Sequence, residues 1–208
     1  LIAAGSFTVA GGQLVNRIAR WNGTSWLPLG LGVNGDVYAL ISFNGFLIAG
    51  GSFTTAGGVP ANKFAVWNGS SWTTWSSGFN GDVFAFTVQG QNLIAAGNFT
   101  TAGGLTRNRI AGWVNNSWAN IGSGFNNTVY TVSSFNTFLY AGGTFTTSGA
   151  TDLFKIAKWD GANWVPLGVG MDDGNVYAMR VLGTSLYVGG TFTMIGASPV
   201  NRIARWDG

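Results

Sequence analysis

The chain is expected to fold as an all-β protein assembled from copies of one four-stranded antiparallel unit, and three observations lead there. A motif recurs: Phe7, Phe53, Phe99, Phe145 and Phe192 are separated by 46, 46, 46 and 47 residues, and Trp21, Trp67, Trp113, Trp159 and Trp206 keep the same steps. Glycine supplies 34 of the 208 residues, placed singly and in pairs as turn chemistry and not at every third position. Helical periodicity is missing, because Gly and β-branched residues interrupt every window of helical length. Leu1 to Phe46 and Leu47 to Asn92 share 23 identities over 46 positions, the mark of a duplicated supersecondary unit.

Four extended segments are legible in each unit. Val37 to Phe43 (VYALISF) is apolar and β-prone and closes on Asn44-Gly45, a dipeptide suited to a tight type I′ hairpin. Phe46 to Thr54 follows, with paired glycines that let a neighbouring backbone or ring approach. Asn62 to Trp67 is the third, closed by a second hairpin turn at Asn68-Gly69, and Ser71 to Trp75, around Trp72, is the fourth. Four antiparallel strands per repeat of this length is the pattern of β-propeller blades, which bury both faces against their neighbours. The second and third segments occur five times, the first and fourth four times, making 18 strands. Five blades are therefore expected, with an arc of a larger propeller as the alternative, because four blades would leave two strands as open edges. Residues 1–208 are expected to be a single propeller domain of roughly four and a half repeats, taken from a longer chain because it starts and stops inside a motif.

Composition then limits the chemistry. The chain has no Cys, no His and no Glu. Disulfides, thiolate or imidazole metal sites and His- or Cys-based catalysis are excluded, so neither enzyme, metal site nor cofactor is expected. The net charge of +3 is mild, which argues against nucleic acid, and no apolar run reaches the roughly 18 residues of a membrane helix. The seven carboxylates are all Asp. Asp36 and Asp82 share a loop position held by Thr128 and Asn175 in other copies, which points to turn capping. Asp172 and Asp173 are adjacent in the one-residue insertion of the last long loop; a solvated turn is expected there, a hard cation being the sharper alternative.

Nine of the ten Trp fall at two repeat positions and are expected at blade interfaces, with sugar stacking as the alternative; Trp75 breaks the pattern and is the candidate for an exposed ring. One cation per blade, Arg17, Lys63, Arg109, Lys155 and Arg202, stands four residues before the repeat Trp. Strand alternation places it on the same side as that Trp, either laid over the indole with its head in water or paired to Asp, or forming a set that binds anions or acidic glycans. Five sequons, at Asn22, Asn68, Asn98, Asn115 and Asn126, are candidate N-glycosylation sites in a secreted chain.

The order VYAL, LIAGG, FAVWNG and SSW resembles kelch-type repeats along the whole chain. It departs from them where Trp is followed by Asn (Trp21-Asn22, Trp67-Asn68) or Val (Trp113-Val114), and by Asp only at Trp159-Asp160 and Trp206-Asp207. It is also similar to the near-identical repeats of large secreted surface proteins. The resemblance implies the propeller fold. The function expected is a non-catalytic, secreted or cell-surface module for binding, adhesion or display. Its partner is expected to be a glycan or protein on the face that carries the long Thr-Ala-Gly-Gly loops, or other copies in a surface assembly. The alternatives are an intracellular kelch-type interaction scaffold and an enzyme on a propeller scaffold.

Overall fold

The computed structural model describes residues 1–171 and 173–208. Its strands form five antiparallel sheets in which hydrogen-bonded order follows chain order. The first sheet has Ile2–Ala4, Ile18–Trp21 and Trp26–Pro28. The second has Val37–Phe43, Phe46–Gly51, Phe64–Trp67 and Trp72–Thr73. The third and fourth repeat that four-stranded plan from Val83–Gln89 and from Val129–Phe135. The fifth has Val176–Leu182, Ser185–Gly190 and Ile203–Trp206. The described blade strands number eighteen, three in each terminal blade and four in each of the others, as the repeat pattern requires.

Turn chemistry is met at Asn44-Gly45, where φ values of 49° and 81° make the type I′ hairpin between Phe43 and Phe46. Asn68-Gly69 behaves differently. Trp67 pairs with Trp72 across a four-residue loop, because Asn68 Oδ1 accepts the N–H groups of Ser70 (2.9 Å) and Ser71 (2.8 Å) and closes an Asx turn in place of a two-residue hairpin. The Thr-Ala-Gly-Gly loops are also more ordered than loops: Thr55–Ala56 pairs with Val59–Pro60 as a small ribbon turning on Gly57 and Gly58, and the ribbon recurs in all five repeats.

The chain packs as two compact units, residues 1–84 with 100–106, and residues 85–99 with 107–208. In the first unit Ile18, Val33, Ala49, Phe53 and Trp72 form one core. In the second, one cluster gathers Ile94, Phe125, Val132, Phe145 and Trp164, and another Tyr140, Ile156, Val188 and Phe192. The repeat phenylalanines Phe53, Phe99, Phe145 and Phe192 are fully buried, and at about 25 cal/mol per Å² each contributes on the order of 2 kcal/mol of transfer free energy.

Trp75 does not carry an exposed ring. It is half-buried in an aromatic cluster, with ring centroids 5.8 Å from Phe46, 5.9 Å from Phe64 and 6.1 Å from Phe43. The reason is local: the fourth strand stops at Thr73, so the chain bends and returns this indole onto its own blade.

Candidate functional site

Each blade carries an Arg or Lys in the left-handed backbone region immediately before its third strand: Arg17 (φ 72°), Lys63 (64°), Arg109 (64°), Lys155 (66°) and Arg202 (63°). The hydrogen bonds around them are the same every time. Lys63 donates its N–H to Phe53 O (2.8 Å) and its carbonyl accepts from Gly51 N–H (3.2 Å); Arg109 does so with Phe99 and Gly97, and Lys155 with Phe145 and Gly143. The cation therefore heads the strand from a turn and lies outside its alternation. This corrects the expectation that it shares a side with the repeat Trp. Lys63 Nζ instead donates to Ser52 O at 2.6 Å, Lys155 Nζ donates to Thr144 O at 3.3 Å, and a cation outside this set, Lys158, lies above Phe138 at 3.6 Å.

Charge compensation is uneven. Arg17 Nε lies 3.9 Å from Asp36 Oδ1, and Lys63 Nζ lies 3.9 Å from Asp82 Oδ1. In the next repeats the Asp position is Thr128 and Asn175, so the counterparts Arg109 and Lys155 have no carboxylate at that place. The Nε atoms of Arg17 and Arg109 are both buried without a hydrogen-bond partner. A cleft of about 390 Å³ opens beside Arg17, walled by Asn16, Val33, Asn34, Thr55 and Gly58.

Two further features belong to this end of the blades, and alternation alone concealed one of them. The register shifts between Val37 and Ala39, between Val129 and Thr131, and between Val176 and Ala178, so the intervening Tyr38, Tyr130 and Tyr177 are bulged out of the ladder. Tyr38 and Tyr177 are 47% and 46% exposed, enough to offer a ring face to a ligand. The rings pair along the first strands: Tyr38 with Phe84 at 5.4 Å in one unit, Tyr130 with Tyr177 at 5.0 Å in the other. The available signal was an aromatic at positions 38, 84, 130 and 177, one residue after each strand-opening Val.

The second feature is a side-chain clamp that holds the long loops together. Asn34 Oδ1 accepts from the N–H groups of Thr54 (2.8 Å) and Thr55 (2.9 Å), while its Nδ2 donates to Thr54 Oγ1 (2.9 Å). Asn80 grips Thr100 and Thr101 in the same way, and Asn126 grips Thr146 and Thr147. In the last copy Asp173 takes the place of Asn. Its carboxylate accepts from the Thr193 hydroxyl (2.5 Å) and from the Thr193 (2.7 Å) and Met194 (3.0 Å) N–H groups, and these bonds, the hydroxyl first, hold its pKa below the ordinary carboxylate value. A depressed folded pKa stabilises above the unfolded pKa and is lost as pH falls through the folded one. The wild-type chain is thus expected to lose stability on acidification below the ordinary Asp range, and Asp173→Asn to remove that site's share of the acid dependence, measured as unfolding midpoints against pH. The neighbouring Asp172 lies outside the described residues. Among the described residues no three His, Cys, Asp or Glu side chains come together as metal ligands.

The sequons fall in different settings. Asn22 and Asn68 are exposed and cap their own Asx turns, as Asp160 does in its copy, where the Asn163 and Ala162 N–H groups keep the carboxyl pKa low. Asn115 is exposed at the start of a left-handed pair of residues with Asn116, and Asn98 is exposed beside buried Phe99. Asn126, also exposed, differs in that its amide nitrogen donates across the clamp to Thr146 (2.8 Å), whereas Asn68 Nδ2 donates only within its own turn, to Ser71 Oγ (3.2 Å). A glycan on Asn126 replaces one of its two amide hydrogens and sets a sugar against Thr146, so lower occupancy at Asn126 than at Asn22, Asn68 and Asn115 is the expected outcome of peptide mapping after secretion from a glycosylating host.

No family model and no curated protein matches the chain. Among solved structures it is similar to the computationally designed Ika4 protein, with a TM-score of 0.53 and 13% identity over 84% of this chain and 92% of that one. It is also similar to the extracellular domain of BT4673 from B. thetaiotaomicron, with a TM-score of 0.57 and 14% identity over 91% of this chain. The match spans 25% of that longer chain. At these identities the likeness concerns the fold, and it agrees with the sheets described above: the chain is an all-β protein of about five repeated four-stranded antiparallel units, of the β-propeller type.

Proposed function

We propose that this chain is a non-catalytic binding module acting at the cell surface or after secretion, and that its ligand is an acidic glycan held beside the long loops, by Arg17 and Lys63 in one unit and by Arg109, Lys155 and Arg202 in the other. One observation carries the reading. Five repeats place Arg or Lys in a left-handed conformation that costs a non-glycine residue roughly 1–2 kcal/mol, in a chain that uses glycine freely for such turns. A position selected only for its backbone has no need of a cation. Guanidinium and ammonium groups are the donors that suit carboxylate and sulfate, and the exposed Tyr38 and Tyr177 rings supply the apolar face on which a sugar ring stacks.

An extracellular setting is supported by five sequons whose asparagines are all exposed and by the likeness to the BT4673 domain, which is itself extracellular. An enzymatic role is disfavoured because a chain without His, Cys or Glu lacks the usual acid–base and nucleophilic groups.

The test is a glycan array spanning sulfated, uronic-acid and neutral sugars, run with the wild-type chain and with Gln at all five cation positions. The wild type is expected to retain acidic glycans, with binding that weakens as salt rises past about 0.15 M, where the Debye length is near 8 Å. The Gln variant is expected to lose at least tenfold in affinity while keeping its far-ultraviolet dichroism. Unchanged retention by a folded Gln variant sinks the proposal.

A further inference from the structure

Two repeats supply a carboxylate to their own cation, and the next one withholds it. Asp36 stands beside Arg17 on a pinned backbone: its carbonyl accepts the Ser52 N–H at 2.9 Å and its N–H donates to Ser52 Oγ at 3.1 Å. Asp82 reaches Lys63 from the same repeat position. Thr128 is held in the same way, its carbonyl accepting the Thr144 N–H at 3.0 Å. Arg109 is held as Arg17 is, its N–H donating to Phe99 O at 2.8 Å where that of Arg17 donates to Phe7 O at 2.7 Å. At that place the first frame carries a carboxylate and the other a threonine side chain.

Arg109 therefore keeps its charge uncompensated. Its Nε is buried with no hydrogen-bond partner, and it forms no ion pair among the described residues. Arg17 Nε also lacks a hydrogen bond but has Asp36 Oδ1 at 3.9 Å. Lys155, which lacks a facing Asp as well, has its ammonium on Thr144 O. Between Asp82 and Asp152 the only charged side chains in the sequence are Arg107 and Arg109, and Arg107 turns its Nε to Trp118 O at 3.0 Å. A buried donor left unpaired is costly to the folded chain, and an arriving anion removes that cost.

Given the acidic-glycan reading, on which this rests, we infer that Arg109 is the seat of one sugar carboxylate, a uronic acid whose carboxyl group takes the place beside Arg109 that Asp36 holds beside Arg17. Asp36 is the chain's own sample of what this frame accepts, and a planar carboxylate matches the parallel N–H donors of a guanidinium. A sugar is favoured over an acidic peptide because the same unit carries Tyr130, two residues past Thr128, with its ring against Tyr177 at 5.0 Å, and Tyr177 is 46% exposed. In the first two repeats the Asp blocks the equivalent place.

Titration of the whole chain with methyl galacturonoside, which carries a single carboxylate, tests this when followed on the arginine Nε–H resonances, with Arg109→Gln identifying the Arg109 signal. That signal is expected to shift saturably while the Arg17 signal stays in place. Thr128→Asp is expected to weaken binding at least tenfold, and Asp36→Thr to make the Arg17 signal respond as well. Both variants exchange residues that the repeat already holds at this position, so both are expected to keep the wild-type dichroism. An Arg109 signal that does not move, or that moves equally in Thr128→Asp, overturns the inference, as does an Arg17 signal that stays silent in Asp36→Thr. If the array then still shows acidic glycans retained by the wild type and lost by the chain with Gln at all five cations, the broader reading stands alone; an array without acidic retention ends both. Methyl galactoside sulfate or N-acetyl-aspartate amide bound as tightly as the uronoside also overturns the choice of a sugar carboxylate.

Discussion

Gly51→Ala is expected to destabilise the chain by about 3 kcal/mol or more, the range of severe overpacking against backbone. A Cβ at Gly51 runs into the carbonyl oxygen of Asp36 and meets Val37 Cα at 3.0 Å. That carbonyl is already fixed, since it accepts the Ser52 N–H at 2.9 Å, and the bulge at Tyr38 leaves the first strand no slack to retreat. Gly143 and Gly190 stand in the same relation to Thr128 and Asn175. Gly45→Ala is the control: its φ of 81° is unfavourable for a side chain but nothing lies within 4 Å, so the cost there is conformational, roughly 1–2 kcal/mol. Urea unfolding of the two variants separates steric from conformational cost, and equal losses contradict this account.

The second large effect is expected at Trp164. Its side chain is 1% exposed, it lies 4.7 Å from Phe125, and its N–H is committed to Ile121 O. Trp164→Ala removes that packing and should cost about 3–5 kcal/mol. Trp164→Phe keeps most of the apolar contact and gives up the hydrogen bond, so about 1–2 kcal/mol is expected from that variant. Trp26, half-buried at the same repeat position, supplies the comparison, and its Ala variant should lose less than half as much. Chemical denaturation of the three, followed by circular dichroism because Trp emission changes with each substitution, gives the order directly.

Repetition makes the blade plan legible in the sequence. The 46-residue step, the paired glycines and the Asn-Gly dipeptides led to strands whose order and number the structure reproduces, including Val37–Phe43 at its stated ends. Local chemistry was less legible where a backbone departs from the strand. Alternation places the cation at positions 17, 63, 109, 155 and 202 on one side of the strand, and it fails for a residue at φ near 65°. The bulged tyrosines escaped for the same reason: a one-residue register shift is invisible to a period-two pattern. Trp75 breaks the repeat and so reads as an exposed ring, yet Phe43, Phe46 and Phe64, brought together by strand pairing, cover it.

What the amino-acid sequence determined by itself is the repeating unit, because turn residues and apolar alternation act over a few residues and the same local preferences recur five times. What only the tertiary structure decided is which groups are spent and which remain. Asp36 and Asp82 draw on Arg17 and Lys63 while Arg109 faces no carboxylate at that position, Asn126 is tied to Thr146 in a clamp while Asn22 caps only its own turn, and Trp72 and Trp164 each close a neighbouring blade. Those outcomes depend on distances between residues about 15 to 45 positions apart, set when blades pack, and no pattern within one repeat encodes them.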